Sequence, residues 1–121
     1  MALAMRMMGG GVSAGAAQAI NGDVNDSITA AGTTQGTATA LTAGVNVITT
    51  AAASTGVVLS DSQISDEYSI LNLGANSVTV YPPSGGRIAQ LSTNTGFTLA
   101  TNTAVKVKKF TATRWMAFLS A

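Results

Sequence analysis

Among 121 residues there is no His and no Cys, and the chain carries only five acidic and six basic side chains. General acid-base catalysis draws mainly on His, Glu, Asp, Lys, Tyr or Cys, and covalent catalysis needs a nucleophile beside a base. The only acidic cluster is Asp61, Asp66 and Glu67. Paired carboxylates there could hydrolyse a glycosidic bond or bind Ca²⁺. The stretch Ser60-Asp61-Ser62-Gln63 to Asp66-Glu67 lacks the calcium-loop pattern and its glycine, so it reads as a solvated loop. The run Gly9-Gly10-Gly11 has neither the lysine nor the preceding strand of a phosphate-binding loop. No catalytic set, no metal site and no cofactor is expected; the chain reads as a non-enzyme.

The basic residues cluster once, at Lys106, Lys108 and Lys109, and the net charge is +1. Binding to phosphate backbones needs clustered Lys and Arg that release counterions, so no nucleic-acid partner is expected. The three lysines read instead as a solvated strand face or a guarded sheet edge. Without Cys there are no disulfide staples and no thiolate metal sites. No stretch approaches the roughly 18 apolar residues of a transmembrane helix, so no membrane partner is expected either.

Sparse charge is itself informative. A folded monomer of this size exposes roughly 6,000 Å², so its charged side chains fall at about one per 550 Å². Charged residues are 9% of the chain, and 46% of it is apolar. A typical soluble domain has about 25% charged residues. Either Thr, Ser and Asn solvate the exterior or part of it is buried against other subunits, and apolar patches beyond a few hundred Å² mark interfaces. An assembly is expected.

Stepping along the chain, Met1–Ala19 resembles a secretory signal only in part. Arg6 is followed by Met7, Met8 and three glycines where a compact apolar core belongs. Residues 1–22 are expected to be a retained, extended anchoring arm. Methionines are unbranched and polarizable, suited to irregular apolar grooves on another protein. Met5, Arg6, Met7, Met8, Val12 and Ile20 are therefore the candidate partner-binding residues, with a short helix possible over Ala14–Ile20.

Residues 23–121 read as a β domain. Asn21-Gly22, Asn25-Asp26 and Ala31-Gly32 punctuate its entry as turns. Strand patterns follow at Thr33–Leu41, Val45–Thr50, Val57–Leu59, Tyr68–Leu73, Ser77–Tyr81, Gly96–Leu99, Thr103–Lys109 and Arg114–Leu119. Strands every 8–12 residues with turn signals between them predict a small antiparallel β-sandwich or barrel. Gly74-Ala75-Asn76 reads as a hairpin loop, Pro82-Pro83 as the end of a strand and Thr111-Ala112-Thr113 as the link between the last two strands. Val105 and Val107 should face in, with Lys106 and Lys108 facing out.

Six aromatic residues, Tyr68, Tyr81, Phe97, Phe110, Trp115 and Phe118, could line a carbohydrate groove. Aromatics are also the largest contributors to cores, and Phe97, Phe110 and Phe118 lie in or beside strand patterns where core is the default. Trp115 is assigned to the core or to a subunit interface, and is included among the partner-binding candidates because indoles are favoured there.

The stretch Thr29–Leu59 followed by Tyr68–Pro83 resembles a small β module of tailed-bacteriophage virion structural proteins. The resemblance rests on the turn Gly32-Thr33-Thr34-Gln35, the strands Val45-x-Val47 and Thr55-Gly56-Val57-x-Leu59, the turn Gly74-Ala75-Asn76 and the strand Val78-x-Val80-Tyr81-Pro82. It implies a capsid decoration, or cement, subunit on the outer surface of the virion. Such a subunit binds the major capsid protein through an extended arm and assembles with itself as a trimer or dimer. The other function class it implies is a fibre, spike or tail attachment module that recognises a host-surface carbohydrate. No binding residue is carried over from the resemblance.

Overall fold

The computed structural model describes residues 24–60 and 62–120. Among them are ten strands and no helix. They are β1 (Val24–Ala30), β2 (Thr39–Leu41), β3 (Val45–Ala51), β4 (Gly56–Leu59), β5 (Glu67–Asn72), β6 (Val78–Tyr81), β7 (Arg87–Ile88), β8 (Phe97–Leu99), β9 (Thr103–Lys109) and β10 (Arg114–Leu119). The arm expected over residues 1–22 lies outside the described residues.

From β1 to β9, consecutive strands alternate between two sheets, and β10 stays in the sheet of β9. One sheet has the order β1-β3-β5-β9-β10-β7 and the other the order β2-β4-β6-β8. Strands β1, β3 and β5 are parallel neighbours, and so are β2, β4 and β6. The chain thus winds from the first sheet to the second and back, making three coils of a β-solenoid. Each coil takes roughly 20–25 residues, within the range of stacked-repeat proteins. The return strands then close the stack: β8 runs antiparallel to β6, β9 antiparallel to β5, and β10 antiparallel to β9.

The all-β expectation holds. The antiparallel sandwich or barrel does not, because most of the ladder between β1 and β6 is parallel. Each coil contains two strands, so its half-turns give the same strand spacing as a chain of hairpins. Gly74-Ala75-Asn76 accordingly turns a corner between sheets. At that corner an added Cβ on Gly74 would lie 2.6 Å from the Ala51 Cβ and 2.9 Å from the Ala51 nitrogen, in the coil beneath. Another close corner is Gly32, with φ +77° and the Thr37 carbonyl oxygen 2.2 Å from its would-be Cβ. That turn occupies most of the expected strand Thr33–Leu41, of which only Thr39–Leu41 is extended.

Inward side chains of both sheets form one core: Ile28, Leu41, Ile48, Val57, Leu59, Ile70, Val78, Val80, Leu99, Val105, Val107 and Trp115 are all buried in it. Two asparagines share this interior. Asn72 accepts from the Gly74 N–H at 2.9 Å and donates to the Asn76 and Leu99 carbonyls at 3.0 and 3.1 Å. Asn46 donates to the Ala43 carbonyl at 2.8 Å, while its Oδ1 is buried without a hydrogen-bond partner. Asn76 in turn donates to the Ala51 carbonyl at 2.9 Å, tying one coil to the next.

Candidate interaction surface

The outward residues of the larger sheet can be read off its register. Val24 opposes Val45, Val45 opposes Ser69, Ser69 opposes Lys106, and Lys106 opposes Phe118. Side chains at paired positions share a face. This row therefore crosses five strands on the outside of the sheet. A second row, Val47–Leu71–Ala104, runs beside it. Val24 is 62% exposed, Val45 41% and Phe118 59%, so the rows present apolar side chains to solvent.

Ser69 and Ala104 are the small members of these rows. Between their larger neighbours they leave a hollow of about 340 Å³, lined by Val45, Leu71, Phe118 and Leu119 among others. One ion pair sits at its side, Lys106 Nζ to Glu67 at 3.1 Å. Toward β1 the sheet ends in an irregular strand, with register shifts on either side of Ile28. Asp26 and Ser27 fall within the bulge. Bulges and charges on an edge discourage strand addition, so the face is a better contact than this edge.

The sequence candidates fare differently. Met5, Arg6, Met7, Met8, Val12 and Ile20 lie outside the described residues. Trp115 is 1% exposed and cannot bind a partner from the folded surface. Its ring packs against Tyr68 with centroids 5.7 Å apart, and Lys109 Nζ stands 5.9 Å from its centroid. Phe97 packs against the core as expected, but Phe110 and Phe118 are exposed. Phe110 lies beneath the Arg114 guanidinium, 5.9 Å away. Tyr81 donates its hydroxyl to the Thr33 carbonyl at 3.2 Å, on the other sheet. The structure does not gather the six aromatics into one groove.

The lysines divide as well. Val105 and Val107 point in and Lys106 is exposed, as expected, but Lys109 is 5% exposed and donates to the Ser62 carbonyl at 2.5 Å. The cluster is therefore not a continuous solvated face. In the acidic segment, Asp66 accepts from the Gln63 N–H at 3.0 Å and Glu67 pairs with Lys106. Asp61 lies outside the described residues. Among the described residues no three His, Cys, Asp or Glu side chains converge as metal ligands.

Strict alternation is the signal that separates Trp115 from Phe118. They are three positions apart on one strand, so only one of them can face the core. The arrangement has apolar relief, with the charges Lys106, Glu67 and Lys108 gathered toward one side of it, which suits packing against another surface. Compared with known proteins, the chain matches no family model, no curated protein and no solved structure.

Proposed function

We propose that this chain is a structural virion protein, a capsid decoration subunit that binds the major capsid protein on the outer surface of the head. The observation that carries the reading is a charge-poor β-solenoid whose larger sheet turns an apolar outer face to solvent, alongside the phage-like turn and strand motifs. Its action is geometric: bury apolar area against neighbouring subunits and so resist forces that separate them. The protein is then neither an enzyme nor a cofactor carrier. The N-terminal residues join the described fold at Val24, beside this face, which suits an arm and a face acting on adjoining surfaces. Many identical copies would let weak individual contacts add through effective concentration.

A second reading, a fibre, spike or tail attachment module with a carbohydrate ligand, is favoured by one observation. Coils that stack along an axis build elongated objects.

Quantitative mass spectrometry of purified virions separates the two. The decoration reading expects hundreds of copies, near parity with the major capsid protein. A few to a few dozen copies would replace it with the fibre or tail reading, and absence from particles would overturn both.

A further inference from the structure

We infer that the outer face of the larger sheet is the site at which two copies of this chain pack face to face about a two-fold axis. This names the surface for the self-assembly expected of a decoration subunit and rests on that reading.

The argument begins with extent. Five strands about 4.8 Å apart and about six residues of roughly 3.3 Å each give a footprint on the order of 500 Å². Two such faces bury on the order of 1,000 Å², and side-chain relief adds to this. That reaches the area at which a specific interface becomes tenable. Face-to-face packing at about 10 Å is also the ordinary way two sheets meet.

Shape is the second element. A two-fold interface must be complementary to itself, because the same patch appears on both sides. Here the projection and the recess occur on one patch. Phe118 is 59% exposed and stands at the rim of the hollow floored by Ser69 and Ala104. Rotation by 180° about an axis beside Lys106 brings each Phe118 toward the hollow of the other copy. Buried aromatic anchors in facing pockets are the usual energetic centre of an interface.

Charge is the third. Like charges brought together by a two-fold axis repel, but Lys106 meets Glu67 at 3.1 Å within its own copy. A centre that carried lysines alone would not tolerate self-packing. Val24, Val45, Val47 and Leu71 supply uncharged surface on one side of this pair; on the other, the row Glu67–Lys108–Met116 sets a second lysine on the same face directly opposite Glu67, at the periphery of the contact.

The full chain at tens of micromolar is expected to sediment as a dimer, and Phe118→Lys to raise its dissociation constant at least about 30-fold, as for an interface anchor. Leu71→Lys provides an independent variant on the second row, and a far-UV circular dichroism spectrum like that of the parent shows that each variant is folded. The chain contains no Cys, so single cysteines report contacts without background. With a short bis-maleimide, which spans the gap across the axis that a disulfide cannot, Ser69→Cys is expected to yield cross-linked dimers, whereas Thr98→Cys, exposed on β8 of the other sheet, is expected to stay monomeric. A monomeric parent, a dimer that survives both lysine variants, or cross-linking through Thr98→Cys but not Ser69→Cys would overturn the inference. Protection of Ser69→Cys from alkylation in a monomer, or only when capsid shells are added, would assign the face to the N-terminal segment or to the shell protein instead. Virion copy number is independent of all these readouts, so failure of the dimer and failure of the decoration reading are distinguishable.

Discussion

Trp115 and Asn72 are the residues on which the interior depends most, for opposite reasons. Trp115 is the largest fully buried side chain, wedged between Tyr68 and Lys109. Trp115→Ala leaves a large cavity and removes the ring beside a buried ammonium. A loss of about 3–5 kcal/mol is expected in urea denaturation, the usual range for a buried Trp. Asn72 contributes satisfaction rather than volume. Replacing it with Ala strands the Gly74 N–H and the Leu99 carbonyl, each at a cost of about 1–3 kcal/mol. Asn46→Ala also breaks hydrogen bonds, yet it removes a buried Oδ1 that has no partner. The same denaturation series should therefore rank Asn72→Ala as more destabilising than Asn46→Ala by about 1 kcal/mol or more. Equal losses would show that the Oδ1 of Asn46 is satisfied in solution.

At the scale of elements, the corner at Gly74 makes the coil stack testable. A methyl there meets the Ala51 side chain and backbone, so Gly74→Ala forces two coils apart. A destabilisation of about 1–3 kcal/mol is expected, as for other overpacked sites. Adding Ala51→Gly removes the methyl clash but leaves the backbone one, so the double variant should recover part of the loss relative to the sum of the single variants. Full additivity in thermal melts would mean that the two corners do not touch. The strands themselves were largely legible. Alternation in Thr103–Lys109 and Arg114–Leu119 gave their observed bounds, and Pro82-Pro83 ended β6 at Tyr81. Strand β1 was hidden because Asn25-Asp26 reads as a turn, and it is in fact a bulge within a strand. The two-residue β7 is too short to carry a pattern. Parallel order was hidden for a different reason: alternation tells which side chains face in, but not which strand lies alongside. The apolar face was half legible. The period-two rule applied to Arg114–Leu119 puts Phe118 outside once Trp115 is inside, whereas residue type alone favours the core for both.

For the molecule as a whole, the unsolved problem of any coil stack is its ends, because the last parallel strand would otherwise leave a row of unpaired backbone groups. Strands β8, β9 and β10 are this protein's answer at one end. β9 pairs with β5 over six residues, from Glu67 opposite Lys108 to Asn72 opposite Thr103. β10 then covers β9, pairs in parallel with β7, the Arg87 and Ala89 N–H groups donating to the Thr113 and Trp115 carbonyls, and delivers the indole to the core. Deleting residues 114–121 should therefore do more than shorten a sheet. It opens the seven-residue edge of β9, leaves β7 without its neighbour and empties the space of the largest core side chain. The truncated chain is expected to lose the cooperative melt of the parent and to move from the soluble fraction to aggregates, as exposed long edges do. Soluble expression with a parent-like circular dichroism spectrum and a cooperative transition would show that the three coils are self-sufficient, and that the return strands serve the outer face alone.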